Sequence, residues 1–251
     1  MRLRDTIRCM QVVILAAGLG RRLHPLTDKH SKAMLPISGR PMVEHLIQQL
    51  AVAQPEEYIL VARPDDAELH QYFAARPEVQ LVFQEEPLGS GHALLQAAHL
   101  LNGPFILSAC DNLTNENHIK QMVKRWQSDP GLSGLLTVME VSSEVVSRTA
   151  IVLLEGRRVR MIIEKPQVDQ APSNVASLPL YIFSPIFLEY LRQSRPSIRG
   201  EIELQDAIQR LIDEGNLVES LTVQLRLTLT SPDDIKAIED YYSASGKEVR
   251  E

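Results

Sequence analysis

The first segment of this chain with side chains suited to phosphate chemistry follows an apolar run at residues 12–15. Gly18 and Gly20 stand in this segment, and Arg22 and Lys32 come after them. A glycine has no Cβ, so its peptide N–H group can approach a phosphate closely, while arginine and lysine add positive charge. The segment therefore predicts a phosphate-binding loop. The alternative interpretation is that both glycines only shape a turn.

Two further polar segments also come directly after apolar runs. Gln84 and Gly89 follow the run at 79–83, and Asp111 follows the run at 105–108. In open sheets of parallel strands, ligands bind beyond the carboxyl ends of the strands, so we expect the three segments to converge. Asp111 has an alternative interpretation as the cap of the helix that follows it.

The elements that must position these segments alternate between strand and helix. Buried strands are predicted from apolar runs at 12–15, 58–62, 79–83 and 105–108. Helices are predicted after Pro41 and at 65–74 and 92–101. This alternation predicts an α/β fold with a doubly wound, mostly parallel central sheet.

Beyond about residue 130 the pattern becomes richer in strands. Predicted strands lie at 135–141, 149–154, 159–163, 178–183 and 217–229. Predicted helices follow Ser184-Pro185, cover 204–212, and begin at Ser231 and fray near Ser245. Because no linker or repeat separates the two halves, we interpret the second as a smaller β-rich elaboration of a single domain.

Composition excludes several classes of protein. The 251 residues are 44% hydrophobic, enough for a sizeable core, and the net charge of −6 argues against a general nucleic-acid binder. The two cysteines, Cys9 and Cys110, are too few and too far apart to imply a disulfide framework. We therefore expect the protein to reside in a reducing cytoplasm. Residues 1–6 lack the apolar core of a signal peptide, and no apolar run has the length of a membrane span.

Several short motifs, in this order and spacing, resemble those of the sugar-nucleotidyltransferases. The resemblance is greatest to glucose-1-phosphate thymidylyltransferases and uridylyltransferases, and it covers residues 11–240. It rests on residues 15–23, Lys32 with 35–37, 89–93, Asp111-Asn112, 164–166, Asn174, Tyr181 and 201–206. The resemblance implies a Rossmann-like fold with a nucleotide-binding half at about 10–130, a sugar-phosphate-binding half at about 131–230, and a C-terminal helix at 231–251.

The resemblance implies an Mg²⁺-dependent transfer. A sugar 1-phosphate oxygen would attack the α-phosphorus of a nucleoside triphosphate, dTTP or UTP, and pyrophosphate would leave. Four residues would carry catalysis: Arg22, Lys32, Asp111 and Lys165. Asp111 would also be the metal ligand, since Mg²⁺ prefers carboxylate and phosphate oxygens. Relatives are often oligomers, so a homo-oligomer is a further expectation.

The same resemblance assigns the binding residues. Nucleotide contacts are expected from Leu15, Ala17, Gly18, Gly20, Arg22, Gln84 and Gly89. Sugar and sugar-phosphate contacts are expected from Glu164, Lys165 and Asn174. Lys165 has an alternative interpretation as an exposed residue at a strand end.

Two regions depart from the family pattern. Where relatives carry Trp-x-Asp-x-Gly-Thr-Pro, with a second metal-binding aspartate, this chain aligns residues 226–232 and places Thr228 at the aspartate. A neutral hydroxyl is a poor substitute for a carboxylate on Mg²⁺. Three outcomes are open. Either Asp111 and triphosphate oxygens suffice to bind the metal, or a different carboxylate approaches it, or catalysis is weakened. Ala150 and Pro179 replace glycines of the sugar site, so the sugar could differ from glucose.

Three alternative functions are weighed against this transfer. One is a non-catalytic or regulatory relative that binds nucleotide or sugar phosphate, which Thr228 favours. Another is a cytidylyltransferase that uses a different phosphorylated acceptor. A dinucleotide-dependent oxidoreductase is disfavoured, because the segment after Gly18 and Gly20 lacks the third glycine of that fingerprint.

Overall fold

The computed structural model describes residues 10–244, and a sheet of nine strands runs through them. The strands are β1 (Gln11–Leu15), β2 (Pro36–Ile37), β3 (Arg40–Pro41), β4 (Tyr58–Ala62), β5 (Val79–Phe83), β6 (Phe105–Ala109), β7 (Asn112–Leu113), β8 (Leu132–Glu140), β9 (Ala150–Glu155), β10 (Arg158–Glu164), β11 (Val175–Phe183), β12 (Leu217–Thr222) and β13 (Leu227–Thr228). The α-helices are α1 (Met42–Leu50), α2 (Ala67–Phe73), α3 (Ser90–Ala97), α4 (Glu116–Ser128), α5 (Ser143–Val146), α6 (Ile186–Arg192), α7 (Leu204–Asp213) and α8 (Asp233–Ala244).

The first half of the sheet is parallel throughout. Its strands stand in the order β5-β4-β1-β6, so β1 lies between β4 and β6. Val12, Val13 and Ile14 are fully buried, as expected for a central strand covered on both faces. The four strands predicted in this half are confirmed, and so is the helix after Pro41. The helix predicted at 92–101 is shorter and begins earlier, as α3.

The second half extends the same sheet. β11 pairs antiparallel with β6, and the order continues as β11-β8-β12-β10-β9, in which only β11 and β10 run opposite to the other strands. The register of β11 against β8 shifts between Leu178 and Tyr181, where Pro179 has no N–H group to donate. The predicted doubly wound, mostly parallel sheet with a β-rich elaboration is thus confirmed.

The single strand predicted at 217–229 is wrong. β12 runs parallel to β8 as far as Val138, and the chain then crosses to form β13, which pairs with β7 beside Asp111. Apolar periodicity does not reveal this exchange of partners, because both short strands are rich in leucine and threonine. The break moves residues 227–228 from the outer part of the sheet to the loop after β6.

The predicted acidic start of the last helix is confirmed. The Oδ2 atom of Asp234 accepts hydrogen bonds from the backbone N–H groups of Thr230 and Ser231, both at 2.7 Å. The expectations for residues 1–6, Cys9 and Ser245 fall outside the described residues. Within residues 10–244, no helix is long and apolar enough to cross a membrane.

A buried histidine gives the fold a pH dependence. His118 lies on α4, and its Nε2 stands 2.9 Å from the Thr137 hydroxyl on β8. Burial lowers the pKa of His118 to about 4. The unfolded chain therefore binds a proton below about pH 6.5 that the folded chain does not bind until about pH 4.

We expect the free energy of unfolding to fall as the pH drops from about 6.5 towards 4, with His118 contributing up to about 1.4 kcal/mol per pH unit. His118→Asn should lower stability at pH 7 but flatten this acid-side slope. Urea unfolding at several pH values measures both. An equally steep slope in the variant would contradict the assignment to His118.

Candidate functional site

The loops after β1 and β6 meet through an ion pair. The ammonium group of Lys32 donates a hydrogen bond to Oδ2 of Asp111, although 79 positions separate the two residues. Their side chains are only 18% and 19% exposed. Parallel pairing of β1 with β6 brings these loops to the same edge of the sheet. The predicted convergence is therefore confirmed for Lys32 and Asp111.

Buried polar atoms without a partner lie near this ion pair. Among the described residues they are Oγ of Ser31, adjacent to Lys32, and Oδ2 of Asp66. Asp66 caps α2, and α2 packs against the turn that contains Lys32. Such orphaned atoms are uncommon in native proteins and occur at functional sites. These two atoms therefore leave hydrogen-bonding capacity near Lys32 that the fold itself does not use.

The segment that contains Thr228 lies directly beside Asp111. Pairing of β13 with β7 places Thr228 opposite Asn112, and the N–H group of Leu229 donates to the Asp111 carbonyl at 3.2 Å. The Thr228 hydroxyl stands 3.3 Å from the hydroxyl of Thr230. Thr228, which aligns with the second metal-binding aspartate of relatives, therefore lies close to Asp111.

Arg226 is a residue of this site that the sequence analysis did not single out. Its Nε donates to the Asn112 side-chain oxygen at 3.3 Å. Burial lowers the pKa of the guanidinium, and the negative charge of Asp111 opposes that shift. Only the departure from the family motif at 226–232 pointed to this position.

The two glycines of the first loop differ in what the fold requires of them. Gly20 has φ +62°, and a Cβ there would lie 2.9 Å from the Thr27 methyl group, so the turn itself needs glycine. A Cβ on Gly18 would meet nothing within 4 Å. The fold therefore does not require glycine at position 18, and the backbone there is open to an outside group. Arg22 is exposed on the same loop.

Two more residues that are predicted to contact the nucleotide flank the start of this loop. Leu15 is the last residue of β1 and is partly buried. Ala17 is 6% exposed, two residues further along. Both positions come shortly before the open backbone at Gly18.

Gln84 holds the loop between β5 and α3. Its buried side chain donates through Nε2 to the Gly89 carbonyl at 3.0 Å. Gly89 has φ +99°, and a Cβ there would lie 2.7 Å from the Ile202 carbonyl. Backbone bonds join the same segments, from Gly91 N–H to the Ile202 carbonyl at 2.8 Å and from Ile202 N–H to the Leu88 carbonyl at 2.7 Å. The base contacts of Gln84 and Gly89 stay predictions.

A second charged cluster lies at the end of β10. The ammonium group of Lys165 stands 3.1 Å from Oε1 of Glu164, and the Arg199 guanidinium stands 3.8 Å from the same oxygen. Arg199 also binds Glu203 at 2.6 Å. Burial raises the pKa of Glu164, and the charge of Lys165 opposes that shift. Arg199 was missed, although it stands just before the 201–206 motif.

Lys165 adopts a conformation that side chains rarely take. Its φ is +47°, and its N–H group donates to the Thr149 carbonyl at 3.1 Å. Non-glycine residues in this region cluster at active sites and ligand clamps. This geometry argues against the interpretation of Lys165 as an ordinary strand end.

Asn174 lies apart from this charged cluster. It precedes β11, its side chain is exposed, and its carbonyl accepts a hydrogen bond from Val141 N–H at 2.9 Å. Three residues later Ser177 pairs with Ala150, which also pairs with Glu164. Glu164 is therefore level with Ser177 and not with Asn174, and the sugar contact of Asn174 stays a prediction.

A family model and curated relatives agree on what this chain resembles. The model described as nucleotidyl transferase matches residues 11–248. UTP–glucose-1-phosphate uridylyltransferase AglF of Haloferax volcanii is 31% identical over 90% of this chain and 93% of its own length. The bifunctional protein GlmU of Methanococcus maripaludis is 31% identical over 83% of this chain but only 48% of its own length. The chain thus spans about half the length of such relatives.

Solved structures share the fold. A UDP-glucose pyrophosphorylase complexed with UDP-glucose superposes with a TM-score of 0.83, at 24% identity, over 94% of this chain and 99% of that one. A UTP-bound enzyme of the same name from Acinetobacter baumannii gives a TM-score of 0.80 at 24% identity, over 94% of each chain. With the family model matching almost the whole sequence, this chain belongs to the nucleotidyl transferase family.

Proposed function

We propose that this protein transfers a nucleotidyl group from dTTP or UTP to a sugar 1-phosphate, forming a nucleotide sugar and releasing pyrophosphate. One observation carries the proposal. Two separate cationic centres, Lys32 beside Asp111 and Lys165 with Arg199 beside Glu164, occur in one sheet. A reaction between two phosphate-bearing substrates needs two such centres. Relatives named uridylyltransferases support this choice of reaction.

In the proposed step, a phosphate oxygen of the sugar 1-phosphate forms a bond to the α-phosphorus. The bond from that phosphorus to the oxygen bridging the α- and β-phosphates breaks, and pyrophosphate leaves with the electron pair. Such transfers need little covalent help from the protein. They need alignment of the two anions and stabilisation of negative charge, and both tasks fall to positioned donors.

The triphosphate would bind at the loop after β1. The open backbone at Gly18 would approach the phosphates, and exposed Arg22 would contact them from the same loop. Leu15, Ala17 and Gly20 would shape the floor of this site, while Gln84 and Gly89 would border the base. The ammonium group of Lys32 is bound to the Asp111 carboxylate. The reacting phosphate would replace that carboxylate as its partner.

The described residues would offer Mg²⁺ a site with one carboxylate ligand. Within residues 10–244, no group of three or more His, Cys, Asp or Glu side chains is placed to hold a metal. Magnesium at nucleotide sites is commonly held by one or two carboxylates together with substrate phosphates. Asp111 would supply the protein ligand, and the bound ion would add positive charge beside the transferring phosphorus.

The sugar phosphate would bind at the end of β10. Lys165 and Arg199 would contact its phosphate, and Glu164 would accept a hydrogen bond from a sugar hydroxyl. Asn174 would contact the sugar from the start of β11. Because Ala150 is paired directly with Glu164, its methyl group adds bulk at this place and favours a sugar of different shape from glucose.

The deciding experiment measures pyrophosphate release with Mg²⁺, glucose 1-phosphate and each of dTTP, UTP and CTP. Release with dTTP or UTP supports the proposal, and release with CTP alone favours the cytidylyltransferase. If no triphosphate gives release, a panel of other sugar phosphates follows. Triphosphate binding without release from any acceptor would favour the non-catalytic relative, the candidate that Thr228 supports. The homo-oligomer and the cytoplasmic location stay predictions, which light scattering and cell fractionation check.

Asp111→Asn should lower kcat by about 100-fold to 1,000-fold, the size of effect expected when one group that organises charge at a reacting phosphate is lost. Triphosphate binding should persist or strengthen, because the variant frees Lys32 from its carboxylate. Calorimetry measures that binding. Wild-type kcat in the variant would exclude Asp111 from catalysis.

Lys165→Ala should raise KM for the sugar phosphate about 10-fold to 100-fold, as expected for one charge-assisted hydrogen bond, with KM for the triphosphate changed far less. Lys236→Ala is the matched control, since Lys236 is an exposed lysine paired with Asp240 on α8. Equal increases in both KM values would argue against a sugar-phosphate role for Lys165.

A further inference from the structure

The ring of His92 stands between the side chains of two glutamines. On one side, its Nδ1 atom lies 3.0 Å from the side-chain nitrogen of Gln84. On the other side, its Nε2 atom lies 3.2 Å from the side-chain nitrogen of Gln96. Gln84 directly follows β5, whereas His92 and Gln96 lie one turn apart on α3. The ring therefore joins the loop after β5 to the helix that follows this loop.

Backbone carbonyls determine which end of each amide faces the ring. The Gln84 nitrogen also donates to the Gly89 carbonyl at 3.0 Å, and the Gln96 nitrogen also donates to the His92 carbonyl at 3.1 Å. A carbonyl oxygen only accepts hydrogen bonds, so turning either amide over would place two acceptors against each other. Both ring nitrogens of His92 consequently face an N–H donor.

A neutral histidine can satisfy only one of these two donors, because one ring nitrogen carries the proton and the other carries the lone pair. Gln84 is 6% exposed, so an N–H group left there without a partner would be costly. Gln96 is partly exposed and can turn an N–H group to solvent. The lone pair therefore belongs on Nδ1, which faces Gln84, and the proton belongs on Nε2.

This arrangement uses both N–H groups of the Gln84 amide, one at the Gly89 carbonyl and one at His92. Only the amide oxygen, Oε1, is left for a ligand. Within residues 10–244, no donor contacts Oε1, and this atom is not among the fully buried side-chain atoms that lack a partner. An otherwise buried side chain thus offers one accessible acceptor and no free donor where the base is expected.

We propose that His92 is a positioning residue that makes this site select a base with an N–H group at ring position 3. Uracil and thymine carry a hydrogen on N3, which can donate to Oε1 of Gln84. Cytosine carries a lone pair on N3, which would face the lone pairs of Oε1, and its amino group is attached to the next ring atom. The inference rests on the proposed function, since it places the base at Gln84, and it narrows that function to UTP and dTTP.

The first test measures the binding of UTP and of CTP by calorimetry, with Mg²⁺ present and no sugar phosphate. The variants are His92→Leu, which removes the acceptor, and His92→Asn, whose side-chain oxygen can replace Nδ1. His99→Leu is the matched control, since His99 is an exposed histidine just beyond the end of α3. Wild-type protein should bind UTP more tightly than CTP.

In His92→Leu, the preference for UTP over CTP should fall at least about 5-fold, roughly the effect of one neutral hydrogen bond. The reason is that Gln84 gains a free N–H group, which can donate to N3 of cytosine. His92→Asn and His99→Leu should keep the preference, and so should Gln96→Met, because Gln96 does not use the lone pair. A merely structural role of His92 would weaken the binding of both nucleotides alike and leave their ratio unchanged.

The second test determines the tautomer in nucleotide-free protein. With isotopically labelled histidine, NMR correlations between ring nitrogens and ring hydrogens distinguish the two tautomers, and comparison with His92→Asn identifies the signals of His92. The proton should be on Nε2.

A proton on Nδ1 would overturn the inference, and so would an unchanged preference for UTP in folded His92→Leu protein. Wild-type protein that binds UTP and CTP equally, or binds neither, would also overturn it. If His92→Leu fails to fold, the tautomer and the wild-type preference decide. A protein that prefers UTP but releases no pyrophosphate with any acceptor loses the proposed function and not this inference.

Discussion

The antiparallel pairing of β11 with β6 is the contact on which the rest of the structure depends. It attaches the strand-rich second half to the parallel first half, with Leu180 opposite Ser108 and Phe183 opposite Phe105. All of these residues are buried, so the junction is part of the core. Without this pairing, Asp111 after β6 and Glu164 at the end of β10 would belong to separate sheets, and the two cationic centres would have no fixed relation to each other.

Ion pairs hold the cationic side chains of the two proposed binding sites. Lys32 binds Asp111, Lys165 binds Glu164, and Arg199 binds Glu203. A partly buried cation is costly unless an opposite charge is near, so each carboxylate stabilises the charged side chain that a phosphate would later contact. A phosphate entering either centre thus competes with a carboxylate. Under the proposed function, this competition would favour highly charged ligands.

The sequence predicts the parts of this fold that depend on local pattern. Continuous apolar runs identify the four parallel strands, and the polar residues after β1 and β6 identify the two loops that meet through Lys32 and Asp111. The break between β12 and β13 was not predictable, because a strand that changes partner keeps the same composition. Arg226 and Arg199 were missed for a related reason. Each arginine contacts a residue more than 30 positions away, and neither belongs to a periodic pattern. In a sequence alone, an isolated arginine looks like an ordinary surface residue.

The backbone bonds between Ile202 and the segment from Leu88 to Gly91 link the two sides of the site. Gly89 and Gly91 both lie so close to the Ile202 carbonyl that neither position has room for a Cβ. The loop that is predicted to border the base and the loop that carries Arg199 are therefore bonded together through main-chain atoms. Under the proposed function, exchanging residues 84–91 to change base preference would also displace the loop that carries Arg199, so the preferences for base and sugar phosphate would have to be redesigned as one unit.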